Sequence, residues 1–393
     1  MIQYYNPHFT FSTIFKSLFE KNAEQKIIDH FKEYTGKNFI LVTGSCRQAL
    51  YLSYISAGIE NKNVATSPLT CFSAIQPILL AHNKIEFIDI ELSSLNMDLT
   101  HLDEEVLGKI DAVQFIHHGG IPIDYLKRKE EIKTKGVLII EDCAQAYGAK
   151  YQGKNVGSEA DIACYSLIKN LYGISGGILA TDSEQIYIAA KKYLQEYKQV
   201  DLKLIYFRLL RNLFETYRRN IFINSLYHLL MKLRPQSDNN YSIKADENNY
   251  VRSTKFVIKL NSVQLKKEKK INDKIKSEII HTAHLLQKNE IISNNHFDDN
   301  CSFTKFFIFN ENISTSEFIK KFESIGIELK HLENKYGSNY QKRFDKLMQF
   351  KESFTFRNCS VYYKVHDSIV ALPTSVPSNY LNKYYLCLEK HLL

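Results

Sequence analysis

Seven short apolar runs, at 38–43, 62–66, 85–90, 111–116, 137–141, 161–165 and 177–181, alternate with helical stretches up to about residue 200. Runs of this length separated by helices read as the strands of βαβ units, and a strand apolar along its whole length is covered on both faces. The pattern predicts an α/β fold whose mostly parallel seven-stranded sheet lies between helices. Open sheets of this kind bind ligands at the carboxyl ends of their strands. A chain of 393 residues exceeds one ordinary domain, so a second unit is expected. Past about residue 253 the pattern changes to polar helical runs, a strand at Ser302 to Phe309, a helix at 314–325, a strand at 368–372 and a last helix from Ser378. The expected division is a large α/β domain at 1–200, a basic helical insertion at 201–245, and a connecting helix with a small α+β domain at 246–393.

The chemistry concentrates at one strand end. Asp142 follows the apolar run Val137 to Ile140, Gln145 lies three residues on, and Lys169 stands 27 residues after Asp142, beyond the run Ile162 to Tyr165. A carboxylate at a strand end can pair with a protonated pyridine nitrogen, which keeps the ring an electron sink. A single lysine nearby is the nucleophile that an aldehyde cofactor requires. An acid, an amide and a lysine in this order read as a site for pyridoxal phosphate, PLP.

At these residues the chain resembles the DegT-like sugar aminotransferases, a branch of the fold-type-I PLP enzymes. The family's E-D-A-A-Q-x-x-G-A motif is matched by Glu141, Asp142, Cys143, Ala144, Gln145, Ala146, Tyr147, Gly148 and Ala149. Asp161-Ile162 with Tyr165-Ser166 and the paired Gly176-Gly177 match the segments flanking the family's lysine. Upstream, Thr43-Gly44-Ser45 with Ala49-Leu50-Tyr51-Leu52 resembles its glycine turn and following helix, a place where backbone N–H groups and a helix dipole meet a phosphate. Pro68 to Cys71, Phe87 to Ile90 and His117 to Asp124 resemble further family motifs in the same order. Downstream, Tyr250-Val251-Arg252 and Gln264-Leu265 resemble the N-Y-R…Q-L segment, with the same spacing of 12 between Arg252 and Gln264.

The resemblance implies roles. Lys169 and Asp142 are the expected catalytic pair. Gly44, Ser45, Cys71, Phe72, Asp142, Gln145, Ser166, Lys169, Asn249 and Arg252 are the expected cofactor contacts, Arg252 and Asn249 by way of a loop that reaches a neighbour across a homodimer with shared sites. The expected reaction moves an amino group from an amino acid, glutamate in most of the family, to a nucleotide-linked keto sugar, in amino-sugar or surface-polysaccharide synthesis. Three positions depart from the pattern: Ser166 to Lys169 is shorter than the family's spacing, Cys71 stands where an aromatic often stacks on the ring, and Tyr250 stands for the asparagine. Two other functions are therefore carried forward, a PLP-free relative with a structural or regulatory role and a PLP-dependent sugar dehydratase.

Composition narrows the setting. Seven cysteines without a C-x-x-C pair argue against both a disulfide framework and a zinc site, so no metal is expected. Neither a secretory leader nor the ~18 uncharged apolar residues of a spanning helix is seen, and a cytoplasmic location is expected. The net charge of +8 is spread along the chain without the aromatic-studded basic cluster of a nucleic-acid site. One segment stands apart. Leu204 to Arg234 carries Arg208, Arg211, Arg218, Arg219, Lys232 and Arg234 against the single acid Glu215, among Leu, Ile, Phe and Tyr. It lengthens the stretch from Gly177 to Arg252 beyond the family's. It reads as a basic amphipathic insertion, either peripheral to the inner face of a membrane or packed on a partner or a neighbouring part of the chain.

Overall fold

All seven apolar runs are strands of one sheet. The computed structural model describes residues 7–217, 220–232, 250–288, 299–302, 306–309, 330–331, 354–357, 359–365 and 369–372. In chain order its elements are α1 (Phe11–Leu18), α2 (Ala23–Thr35), β1 (Phe39–Thr43), α3 (Cys46–Ser56), β2 (Asn63–Thr66), α4 (Phe72–Leu80), β3 (Lys84–Ile88), α5 (Glu104–Leu107), β4 (Ala112–Ile116), α6 (Lys129–Thr134) and β5 (Leu138–Asp142). A short hairpin of β6 (Lys150–Tyr151) and β7 (Lys154–Asn155) precedes β8 (Ile162–Ser166), β9 (Gly177–Thr181) and α7 (Glu184–Gln195). The chain continues through α8 (Leu202–Tyr217), α9 (Ile221–Lys232), α10 (Lys255–Leu265), α11 (Glu268–Lys288), β10 (Phe306–Phe309), β11 (Lys330–His331), β12 (Phe354–Arg357), α12 (Ser360–Val365) and β13 (Ile369–Leu372).

The sheet has eight strands in the order β1, β9, β8, β5, β4, β2, β3, β12. Only β9 runs against its neighbours. The eighth strand, β12, is an addition to the seven expected; it pairs parallel to β3, Phe356 opposite Phe87, and so the carboxyl-terminal third supplies one edge of the large sheet. Successive residues on a strand face opposite ways, and here both directions are apolar because both faces are covered. Ile139 joins Ile27 and Phe31 of α2 and Ile132 of α6 in one core; Ile140 joins Leu50 and Leu52 of α3, Ile78 of α4 and Ala190 of α7 in the other. Burying each such side chain stabilises the fold by about 1.5–3 kcal/mol.

A third apolar cluster joins Ile205, Leu209 and Leu213 of α8 to Phe9, Ile174, Val251, Val257 and Leu260. The basic segment thus divides into α8 and α9, and one face of α8 packs on α10 and on the residues around Phe9, Ile174 and Val251. In the carboxyl-terminal part, β10, β13 and β11 form an antiparallel sheet at two of the expected strand positions. The expected helices at 314–325 and from Ser378 lie outside the described residues. Among the described residues no helix is long and apolar enough to cross a membrane.

Candidate active site

The parallel register gathers the singled-out residues at one rim of the sheet. Asp142 ends β5 and pairs with Ile116 on one side and Cys164 on the other. Because β9 is antiparallel, its first residue, Gly177, lies at that same rim between Thr43 and Ser166. Thr43, Gly177, Ser166 and Asp142 therefore share one end of four neighbouring strands.

The phosphate-type turn is built by close backbone contact. Ser45 is the N-cap of α3, its Oγ accepting from the Gln48 N–H at 3.1 Å, so the turn opens directly onto the helix N-terminus. A Cβ at Gly44 would overlap the Val251 carbonyl oxygen, and one at Gly177 would overlap the backbone of Ser45 and Cys46. Gly176 has φ of +115°, a conformation that side chains rarely adopt. The paired glycine lets β9 start hard against the turn, with Ser45 and Gly176 bridged in parallel.

Asp142 is 5% exposed. Its Oδ1 accepts from the Ala144 N–H at 3.0 Å and meets the Cys46 thiol at 3.9 Å. Burial pushes its carboxyl above the ordinary value, while the Lys169 ammonium and the Ala144 amide pull it back. Among the described residues no cation pairs with it at ion-pair distance. Burial and the Asp142 charge also raise the Cys46 thiol, which stays a protonated donor toward that carboxylate.

Lys169 sits half-buried in the tight turn after β8. Leu167 anchors the turn, donating to the Gly176 carbonyl at 3.1 Å and accepting from the Gly173 N–H at 2.7 Å, and Tyr172 N–H closes on the Lys169 carbonyl at 3.1 Å. This is how the short spacing from Ser166 to Lys169 is accommodated. Asn261 of α10 clamps the far side, its Nδ2 on the Ser175 carbonyl at 2.7 Å and its Oδ1 accepting from Ile174 N–H at 3.3 Å.

The remaining expected contacts distribute unevenly. Cys71 is the N-cap of α4 and Phe72 its first residue, both partly exposed, and Cys71 lies close enough to Cys46 for the two thiols to influence each other. Gln145 and Ser166 are buried, and the Gln145 carbonyl accepts from Ser302 Oγ at 3.1 Å. Tyr250, Val251 and Arg252 dock beside the turn of their own chain: Tyr250 is buried edge-to-face with Tyr51, and Ser253 Oγ donates to the Thr43 carbonyl. Arg252 Nε donates to the Tyr197 carbonyl at 2.7 Å. Asn249 lies outside the described residues.

His117 belongs to a buried network behind the rim. Its Nδ1 accepts from the Ile123 N–H at 3.0 Å, so Nε2 carries the proton and donates to Glu141 at 3.1 Å. Glu141 also accepts from Tyr151 at 2.8 Å and from Tyr125. Burial alone would raise the Glu141 carboxyl, but these donors outweigh it and hold the group below its ordinary value. His117, Glu141 and Cys143 could converge on a cation by distance, yet their polar atoms are already engaged with one another, and the cluster holds the β4 and β5 ends together.

Sequence reading gave no site role to Asn261 or Cys46 and counted Arg208 only among the cations of the insertion, whereas it donates from α8 to Ser175 Oγ at 2.7 Å. None of these lies in a motif; a polar residue at a buried helical position is the one signal Asn261 carries.

A buried carboxyl with no cation beside it, a helix N-terminus opened by glycines and a lysine whose charge reaches the carboxyl form a donor set that fits PLP. Residues 17–200 match the DegT/DnrJ/EryC1/StrS aminotransferase family. The chain is 30% identical over 188 residues to the UDP-4-amino-4,6-dideoxy-N-acetyl-beta-L-altrosamine transaminase of Campylobacter jejuni, covering 46% of this chain and 50% of that one. It thus spans about half the length of the curated relatives it matches. Its fold is that of the sugar aminotransferase CalS13 from Micromonospora echinospora, with a TM-score of 0.70, 16% identity and all of both chains covered. It is equally that of the E. coli GDP-4-keto-6-deoxy-D-mannose-3-dehydratase with bound hydrated PLP, with a TM-score of 0.71, 16% identity, 99% of this chain and 100% of that one.

Proposed function

Because residues 17–200 form a domain of the DegT/DnrJ/EryC1/StrS aminotransferase family, we propose that the chain is a PLP-dependent aminotransferase that moves an amino group from an amino acid, glutamate by preference, to a nucleotide-linked keto sugar. The observation that carries this reading is Asp142, a buried carboxyl raised by desolvation at a strand end, with the charge of Lys169 within electrostatic reach. A pyridinium N–H is the partner that would return such a group to its ionised form.

In this reading Asp142 holds the ring nitrogen, and the amides at the start of α3 with Ser45 and Ser166 hold the phosphate. Gln145, Cys71 and Phe72 would line the ring. The bound cofactor supplies an electron sink for the carbon that loses its proton. Lys169 Nζ takes the proton from the donor's Cα and delivers a proton to the sugar carbon that receives the nitrogen. The turn locked by Leu167 and Asn261 fixes where Nζ travels. Residues 1–200 act as the cofactor domain, and 246–393 as connecting helix and small domain on the substrate side. A cytoplasmic homodimer with shared sites, in which Asn249 and Arg252 serve the neighbour's cofactor, completes the reading.

The names of the curated relatives support a nucleotide-linked sugar as acceptor. The lysine at position 169 favours amino transfer over dehydration. The test is incubation of the PLP-loaded chain with glutamate and a panel of nucleotide-linked 3-keto and 4-keto sugars. Formation of an amino sugar together with 2-oxoglutarate supports the proposal. A deoxygenated keto sugar, with the donor's nitrogen released as ammonia and no amino sugar formed, would assign the dehydratase instead.

A further inference from the structure

Helix α1 turns its phenyl rings to solvent. It buries Thr13 and Ser17, with Thr13 Oγ1 donating to Gln264 Oε1 at 3.3 Å and accepting from Lys267 Nζ at 2.7 Å. It leaves Phe11, Phe15 and Phe19 exposed at 66%, 64% and 69%. Positions 11, 15 and 19 are spaced four apart, which sets them along one side of the helix. The helix docks through Thr13, Ser17 and Ile14, the last against the α8–α10 cluster, and the phenyl rings stay outside that contact.

The stripe continues onto the inserted helices. Phe9 N–H donates to Thr216 Oγ1 at 2.9 Å, and Phe11 stacks on Tyr217 with ring centroids 6.5 Å apart, so α1 meets the end of α8. While α8 buries Ile205, Leu209 and Leu213, it exposes Tyr206 on another side, and α9, packed on α8, exposes Phe222 and Leu229 at 72% and 56%. Of the twelve large apolar side chains exposed among the described residues, ten lie on α1 with its C-cap, α8 or α9. Exposed apolar side chains concentrated on three helices that meet one another mark an interaction site.

We propose that this face seats the protein on the surface of a lipid bilayer carrying anionic headgroups. Charge selects that occupant. The same three helices present Lys16, Lys203 and Lys232 to solvent, with Arg211 partly exposed. Their acid is Glu215, and the neighbouring Asp201 caps α8 at the Lys203 N–H. Phenyl rings that enter the headgroup boundary, flanked by lysines that reach phosphates, are the pattern of an interfacial helix lying in the membrane plane. A second copy on the same face is the other candidate occupant, and sedimentation separates it from a bilayer.

Flotation of the full chain with vesicles of phosphatidylcholine alone, and of phosphatidylcholine mixed with phosphatidylglycerol, tests this. The chain should rise with the anionic vesicles, far less with the neutral ones, and less as salt is added. Phe15→Asp with Phe19→Asp should lower the bound fraction at least about tenfold with an unchanged circular dichroism spectrum. Lys16→Glu with Lys203→Glu, which leaves the rings in place, should abolish the preference for anionic vesicles. The proposal is overturned if folded wild type stays with the soluble fraction in the presence of anionic vesicles. It is equally overturned if the aspartate variants float undiminished, or if they change the sedimentation of the protein from one oligomer to a smaller one without altering vesicle binding.

Discussion

Arg208 of the inserted helix donates to Ser175 Oγ at 2.7 Å, and that hydroxyl donates to the Gly44 carbonyl at 3.0 Å. Two hydrogen bonds thus tie the insertion to the turn that opens α3. The guanidinium acts on the turn through Ser175, so Arg208 is a positioning residue. Arg208→Ala should weaken PLP binding about tenfold, the equivalent of one charge-assisted hydrogen bond, and Arg208→Lys should recover part of the loss. Titration of the apoprotein with PLP, followed by absorbance, reads this directly.

Gly44→Ala places a methyl group on the Val251 carbonyl oxygen, a backbone atom with no room to give. A loss of at least about 2 kcal/mol of stability is expected, visible in urea unfolding. The same substitution at Gly36, where nothing lies within 4 Å but φ is +71°, should cost only the strain of the left-handed conformation, about 1 kcal/mol.

The Glu141 network carries a pH signature. Its carboxyl is held below the ordinary value in the folded state, so it contributes stability above its unfolded value of about 4.3, and this is lost as pH falls through the folded one. Acid unfolding of wild type should steepen below about pH 4.3, and Glu141→Gln, less stable at pH 7, should lose that part of the pH dependence.

Asp142 has the opposite sign. Its carboxyl is raised by burial, so in the apoprotein its contribution is present at low pH and is lost as pH rises through the folded value. Asp142→Asn should therefore raise the melting temperature of the apoprotein at pH 7 while lowering turnover of the PLP-loaded protein by about 100-fold. A fall in apoprotein stability on this substitution would show that Asp142 is a structural ion rather than a group awaiting a cation.

Strand positions were legible where burial on both faces leaves unbroken apolar runs, as at Leu138 to Ile140 and Ile162 to Tyr165. Phe354 to Arg357 was not, because an edge strand of four alternating residues pairs with β3, some 270 positions away, and carries no local signal of that partner. Asp142, Ser166 and the glycine pair were legible because their residue types are fixed by the rim they occupy. Arg208 and Asn261 act on backbone atoms from helices distant in sequence, so only the folded chain brings them to the site. The outward phenyl rings of α1 were invisible for a related reason: its period is that of any amphipathic helix, and only packing reveals which side faces inward.

The central claim is that Lys169 and Asp142 hold and use PLP. Its most direct measurement is the visible absorption spectrum of the purified chain after loading with PLP and dialysis, before and after glutamate is added, for wild type and Lys169→Ala. Wild type should retain a visible band that fades with glutamate, and Lys169→Ala should show neither the band nor the change. Wild type that retains no PLP, or a Lys169→Ala variant whose spectrum and response equal those of wild type, would contradict the account.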